Sequence, residues 1–206
     1  MSVAGSETDS LPIRNSTELY LACRQGQLKR LRNHIARGIK EGQGPAFANL
    51  SDDGARLTGL LGAAVGAHED ILRLLIISGQ QEEEGGARVN PLVNHQDRYG
   101  YTPLMAAASN GWRRPEKLPD GTDCPRDDAG YSALPSAVQA EFERQQRQRM
   151  QRQVACVQVL LQNGADPSIT TFKGPSEPEE KTAMRLAMEN QQHHIVQLLQ
   201  QAGVQQ

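Results

Sequence analysis

One short pattern recurs four times along the chain, and it constrains the fold more than any other feature. Each copy opens with a threonine, has leucine or methionine two residues later and alanine five residues later, and closes with a glycine. The opening residues are Thr17, Thr58, Thr102 and Thr182. A unit of this length cannot bury its apolar face alone, so the repetition predicts a stack of similar units.

Each copy predicts two short antiparallel helices. The opening threonine suits the start of the first helix, and small alanines let neighbouring helices approach closely. Leucine and isoleucine at steps of three and four form the buried face of the second helix, and the closing glycine permits a left-handed turn at its end. Cys23 takes an alanine place in the first copy, so we expect a buried, unreactive thiol.

The third copy is the most specific. It reads Asp97-Arg98-Tyr99-Gly100-Tyr101-Thr102-Pro103-Leu104-Met105-Ala106-Ala107-Ala108, and it resumes much later as Leu160-Leu161-Gln162-Asn163-Gly164-Ala165. These segments resemble the ankyrin family, whose repeat opens T-P-L-H-x-A-A and closes L-L-x-x-G-A. The resemblance covers most of the chain from about residue 15 to 203, without the insertions. The chain departs from the family at the histidine place, which is occupied by Tyr20, Leu61, Met105 and Arg185.

The resemblance implies an all-α fold, an ankyrin-repeat solenoid of helix-turn-helix units with short β-hairpin loops. We expect residues 1–14 to form a disordered tail and residues 15–206 to form a single domain. Its repeats would span residues 15–38, 56–79, 97–111 together with 154–166, and 180–203. Polar residues surround the helices of the first and last repeats, which predicts solvated caps at both ends.

The insertion of residues 112–153 is the most individual feature. Residues 112–135 are rich in proline, glycine and aspartate and predict a loop, whereas residues 136–163 contain neither proline nor glycine. A capping box at Ser136 to Gln139 would start the helix about five turns early, giving a helix roughly 40 Å long. Its stripe of Val138, Phe142 and Met150 either contacts a partner helix, as in a coiled coil, or folds back on the loop.

The charge balance argues against nucleic acid as the partner. The formal net charge is −2 and aromatic residues make up 4% of the chain, whereas phosphate-driven binding needs a strong basic patch. The three cysteines match no metal or redox spacing, which predicts reduced thiols in an intracellular, cytoplasmic or nuclear protein. The polar N-terminus and the lack of a long apolar run predict neither a secretory signal nor a membrane span.

We expect no catalysis, cofactor, metal or small-molecule substrate. No glycine-rich phosphate loop and no nucleophile elbow occurs in the sequence. The adjacent His193 and His194 would point away from each other on a helix, which makes them a poor chelate. The sequence therefore favours a binding protein over an enzyme.

Ankyrin partners usually dock on the hairpin tips and on the exposed face of the first helix of each repeat. The resemblance therefore implies a protein-binding scaffold or adaptor. Carried over by position, its contact residues are Arg24, Gln25, Val65, Arg98, Tyr99, Tyr101, Ser109, Asn110, Lys181, Glu189 and Asn190. Tyrosine and arginine dominate interface energetics, so Arg98, Tyr99 and Tyr101 come first.

Two points stay open. Trp112, the only tryptophan, either anchors a partner or pins the insertion against the helices. The alternative function is a structural subunit of a larger assembly, docked through the long helix and the insertion.

Overall fold

A computed structural model of the protein describes residues 11–41, 56–82, 88–109, 124, 132–174 and 179–203. This part of the chain is mostly helical, as predicted. The helices are α1 Ser16–Arg24, α2 Leu28–Lys40, α3 Gly59–Gly66, α4 Glu69–Ser78, α5 Pro103–Ser109, α6 Ser136–Gln162, α7 Ala183–Glu189 and α8 His193–Gln201. Strand β1, Gln81–Glu82, pairs antiparallel with β2, Arg88–Val89.

The helices pack in two layers. In the first layer α1, α3, α5 and α7 contact one another in that order, and in the second layer α2, α4, α6 and α8 do the same. Each first-layer helix also contacts the second-layer helix that follows it along the chain. The core lies between the layers, where the leucine or methionine of each repeated pattern is almost fully buried, at Leu19, Leu60, Leu104 and Met184.

Three of the four opening threonines cap a helix. The side chains of Thr58, Thr102 and Thr182 accept hydrogen bonds from the backbone amides three residues later, at 3.2–3.3 Å. The prediction for Thr17 is wrong, because Asn15 accepts the amide of Glu18 at 2.8 Å and α1 begins at Ser16. An extended asparagine two residues earlier already satisfies a free amide, so the helix starts before the threonine.

The closing glycines behave in two ways. Gly164 and Gly203 adopt the predicted left-handed conformation, with φ of +84° and +81°. Gly79 does not, since its φ is −100°, and Gly38 lies inside α2, which continues to Lys40. The prediction is therefore wrong for these two glycines, whose helices end without a left-handed residue at that position.

Contacts with the helices begin earlier than residue 15, while residues 1–10 of the expected tail lie outside the described residues. Ile13 is buried in the core, and the Arg30 guanidinium donates to the carbonyl oxygens of Leu11 and Pro12 at 3.1 and 3.3 Å. Residues 11–14, which we assigned to the tail, therefore pack against the first helix pair.

The long helix α6 begins at Ser136, as predicted, but not through a capping box. Its N-cap residue is Pro135, and the Gln139 side chain donates instead to the carbonyl oxygens of Ser132 and Leu134, at 3.1 and 2.7 Å. Phe142 is only 3% exposed, so it cannot serve as an open apolar contact for a partner helix.

Candidate functional site

A cleft of about 320 Å³ opens on the first layer, between α1, α3 and α5. We call it the first-layer groove. Its lining side chains combine apolar and aromatic surface with few polar groups: Tyr20, Leu57, Leu61, Val65, Asp97, Tyr101, Ala106 and Ser109. Of the predicted contact residues, Val65, Tyr101 and Ser109 are brought together here.

Close helix packing shapes the groove. A Cβ atom added at Gly62 would lie 2.4 Å from the carbonyl oxygen of Tyr20, so the backbones of α1 and α3 nearly touch at this point. Tyr20 and Leu61 occupy the same position of the repeated pattern, and both line the groove. We did not predict them as contacts, although their departure from the family histidine was a signal in the sequence.

Asp97 folds the tip beside the groove. One oxygen of its carboxylate accepts the backbone amides of Tyr99 and Tyr101 at 2.8 and 2.9 Å, and its own amide donates to the Tyr101 carbonyl oxygen at 3.0 Å. Only 9% of Asp97 is exposed. This turn directs Tyr101 to the groove and leaves Arg98 and Tyr99 exposed at the tip.

Arg98 and Tyr99 form a pair. The guanidinium lies 4.6 Å from the centroid of the Tyr99 ring, and it donates to the phenolic oxygen at 2.5 Å. Stacking of this kind orders a long cationic side chain on an aromatic face. The first two predicted contacts are therefore in contact with each other in the unbound protein.

A second tip lies against the first. The Phe172 amide donates to the Tyr99 carbonyl oxygen at 3.0 Å, and Gln96 donates to the carbonyl oxygens of Gly100 and Thr170 at 3.0 and 2.8 Å. Phe172 is 46% exposed. We did not predict it as a contact, because nothing near it in the sequence shows that it lies beside Tyr99.

The predicted contacts of the fourth repeat lie on α7 and next to its two ends. Lys181 forms an ion pair with Glu189 at 2.8 Å, and Arg185 donates to the same carboxylate at 3.0 Å. Hydrogen bonds from Lys181 and Arg185 lower the pKa of Glu189. Asn190 donates to the Leu186 carbonyl oxygen at 2.8 Å at the end of its own helix. None of these residues lines the first-layer groove.

The other predicted contacts lie apart. Arg24 and Gln25 are exposed at the end of α1 and do not line the groove. The Gln25 side chain accepts a hydrogen bond from Gln27 at 2.7 Å. Asn110 and Trp112 fall outside the described residues, so the two alternatives for Trp112 stay open.

All three cysteines are buried, and two of them ionise poorly because of it. Burial raises the pKa of Cys23 and of Cys156 to about 12, which keeps both thiols protonated and weakly nucleophilic. Within the described ranges, no group of three metal-ligating side chains converges. In the same ranges, every helix is too short or too polar to cross a membrane.

No known protein-family profile matches the chain, and no curated protein matches it either.

Proposed function

We propose that this protein is an ankyrin-repeat scaffold or adaptor that binds a partner protein in the first-layer groove. One observation carries the proposal. Val65 and Tyr101, which resemblance alone singled out from separate repeats, line one cleft together with Tyr20 and Leu61. The stacked helix pairs and the resemblance in the third repeat support the ankyrin assignment.

The composition of the groove fits a protein segment. Its walls are mostly aliphatic and aromatic, and Asp97, its one carboxylate, already accepts two backbone amides. A buried aromatic anchor in such a cleft supplies most of the binding energy in many protein interfaces. A volume of about 320 Å³ is at the low end for a small-molecule site, typically about 300–1,000 Å³.

Matched variants test this function. We would purify partners from lysate, identify them by mass spectrometry, and measure the Kd of each purified partner for three proteins. These are the wild type, a groove variant carrying Val65→Glu and Tyr101→Ala, and an α6 variant carrying Arg147→Glu and Gln148→Glu. The α6 pair is exposed on the helix surface and serves as the control.

We expect the groove variant to bind at least about tenfold more weakly, because both changes remove apolar contact area, and the α6 variant to bind like the wild type. Circular dichroism must show that all three proteins are folded. If only the α6 variant loses the partner, the protein instead works as a structural subunit docked through the long helix. If neither loses it, the groove is not the binding site.

A further inference from the structure

Two exposed aromatic residues lie at adjoining tips whose backbones are hydrogen-bonded to each other. Tyr99 is 56% exposed and Phe172 46%, and a backbone hydrogen bond of 3.0 Å joins them. Aromatic residues make up only 4% of the chain, yet two of them are exposed and one backbone hydrogen bond apart. We call Arg98, Tyr99 and Phe172 the tip patch. Exposed apolar surface of this kind marks contact sites in many proteins.

The backbone under the tip patch is held firmly. A Cβ atom at Gly100 would lie 2.4 Å from the Phe172 amide nitrogen, which shows how closely the two tips approach. Thr171 is buried, and its amide donates to the Lys181 carbonyl oxygen at 3.0 Å. Gln96 bridges both tips through its side chain. A surface ordered before binding loses less entropy on association, which favours its use as a contact.

The Arg98 guanidinium places a cation on the Tyr99 ring. No carboxylate in the described part of the chain pairs with Arg98, since the Asp97 carboxylate accepts backbone amides instead. Lys173 lies 3.7 Å from Glu180, but both side chains are largely exposed, so the pair is weak. A stacked guanidinium with donors left over can hold a carboxylate through two parallel hydrogen bonds.

We propose that the tip patch binds an acidic segment of the partner protein, in which an Asp or Glu lies within a few residues of a large apolar side chain. The carboxylate pairs with Arg98, and the apolar side chain packs on Tyr99 and Phe172. This proposal rests on the proposed function, because the same partner would reach from the groove to the tips. Single-stranded nucleic acid also stacks on aromatic rings, but it needs more positive charge than Arg98 and a paired lysine supply.

Displayed random peptides provide the probe. Short random-sequence peptides are selected on the full-length wild type, and the strongest binders are synthesised and measured by fluorescence anisotropy. The same peptides are then measured against a tip variant, Tyr99→Ser with Phe172→Ser, against Arg98→Gln, and against the groove variant defined above. Arg98 and both aromatic residues are exposed, and Arg98→Gln makes the mildest change, so it tests the patch even if the tip variant folds poorly.

The expected peptides are enriched in Asp or Glu close to Leu, Phe or Trp. We expect the tip variant to weaken their binding about tenfold or more and Arg98→Gln to weaken it several-fold. A charge exchange sharpens the test: Arg98→Glu should lose the acidic peptide and bind its lysine-substituted version better than the wild type does.

Peptides that lack acidic residues, or that bind the tip variant as tightly as the wild type, overturn the tip proposal. If the groove variant alone loses them, the proposed function survives. If the tip variant alone loses them, the tip proposal stands and the groove function fails. If no peptide is enriched, both fail. An oligo-dT that binds through the tip patch and displaces the peptides would make nucleic acid the ligand and overturn the proposal.

Discussion

Gly100→Ala should weaken the fold through two separate effects. Gly100 has φ of +85°, where an alanine costs about 1–2 kcal/mol, partly offset by about 0.4–1 kcal/mol because alanine restricts the unfolded chain. Its Cβ atom would also lie 2.4 Å from the Phe172 nitrogen and 2.9 Å from the Thr171 backbone. Separating the tips breaks the hydrogen bond between Phe172 and Tyr99, at about 0.5–1.5 kcal/mol, and strains those of Gln96. With a net conformational cost of about 0.5–1 kcal/mol, we expect a total loss of about 1–2.5 kcal/mol.

Gly164→Ala is the matched control. Gly164 has nearly the same φ, +84°, but a Cβ atom there would meet nothing within 4 Å. Only the conformational cost applies, so we expect a loss of about 0.5–1 kcal/mol. The difference between the two variants therefore measures the close approach of the tips.

Urea unfolding followed by circular dichroism gives both free energies of unfolding by linear extrapolation. In a thermal scan, Gly100→Ala should lower Tm by roughly 2–10 °C, taking about 2–4 °C for each kcal/mol in a chain of this size. If the two variants lose equal free energy of unfolding, a Cβ atom at residue 100 does not clash with the second tip. The tip patch would then not be held in place by the second tip before binding.

Three further predictions concern stability. Gln153→Met should raise the free energy of unfolding by about 1 kcal/mol in urea titrations, because the Gln153 side chain is 1% exposed and its Nε2 has no acceptor in the described part of the chain. Gln191→Gly should raise it by about 0.5–1 kcal/mol, since Gln191 has φ of +56° in the turn between α7 and α8; a Gln191→Ala control should not. The pKa values of Cys23 and Cys156 are raised by burial to about 12, so both thiols stay protonated in the folded state while those of the unfolded chain ionise above about pH 9. Stability should therefore be unaffected by these thiols below that pH and fall by about 1 kcal/mol per thiol for each pH unit above it, and the slope should shrink when both are replaced by alanine.

Local chemistry explains what the sequence predicted well. Thr58, Thr102 and Thr182 cap helices because the cap depends only on a side chain and an amide three residues away. The start of α6 at Ser136 follows from the last proline before a long stretch without helix breakers. Burial of Cys23 follows from its place among alanines that face a neighbouring helix.

Competition between nearby groups explains the local errors. Asn15, and not Thr17, accepts the free amide at the start of α1. The Gln139 side chain donates to two carbonyl oxygens and does not bond to the backbone amide that a capping box would require. Several partners were in reach in each case, and the sequence does not show which geometry is better.

The candidate site depended on distant parts of the chain. Phe172 lies beside Tyr99 only because α5 and α7 stack, with α6 and the insertion between them in sequence. The ion pair of Lys181 and Glu189 likewise exists only once the tip returns to the start of α7. Residue types predicted which positions could contact a partner. They did not predict which of those side chains already form ion pairs or hydrogen bonds within the protein.

The number of residues between the two helices of each pair also bears on the order of folding. Residues 67–68 are all that separate α3 from α4, whereas residues 110–135 separate α5 from α6. Twenty-six residues must therefore be synthesised between α5 and α6, against two between α3 and α4. We therefore expect the four helices nearest the N-terminus to assemble on a growing chain well before α6 docks, so that α5 spends the interval with one face uncovered, the face most exposed to chaperones during synthesis.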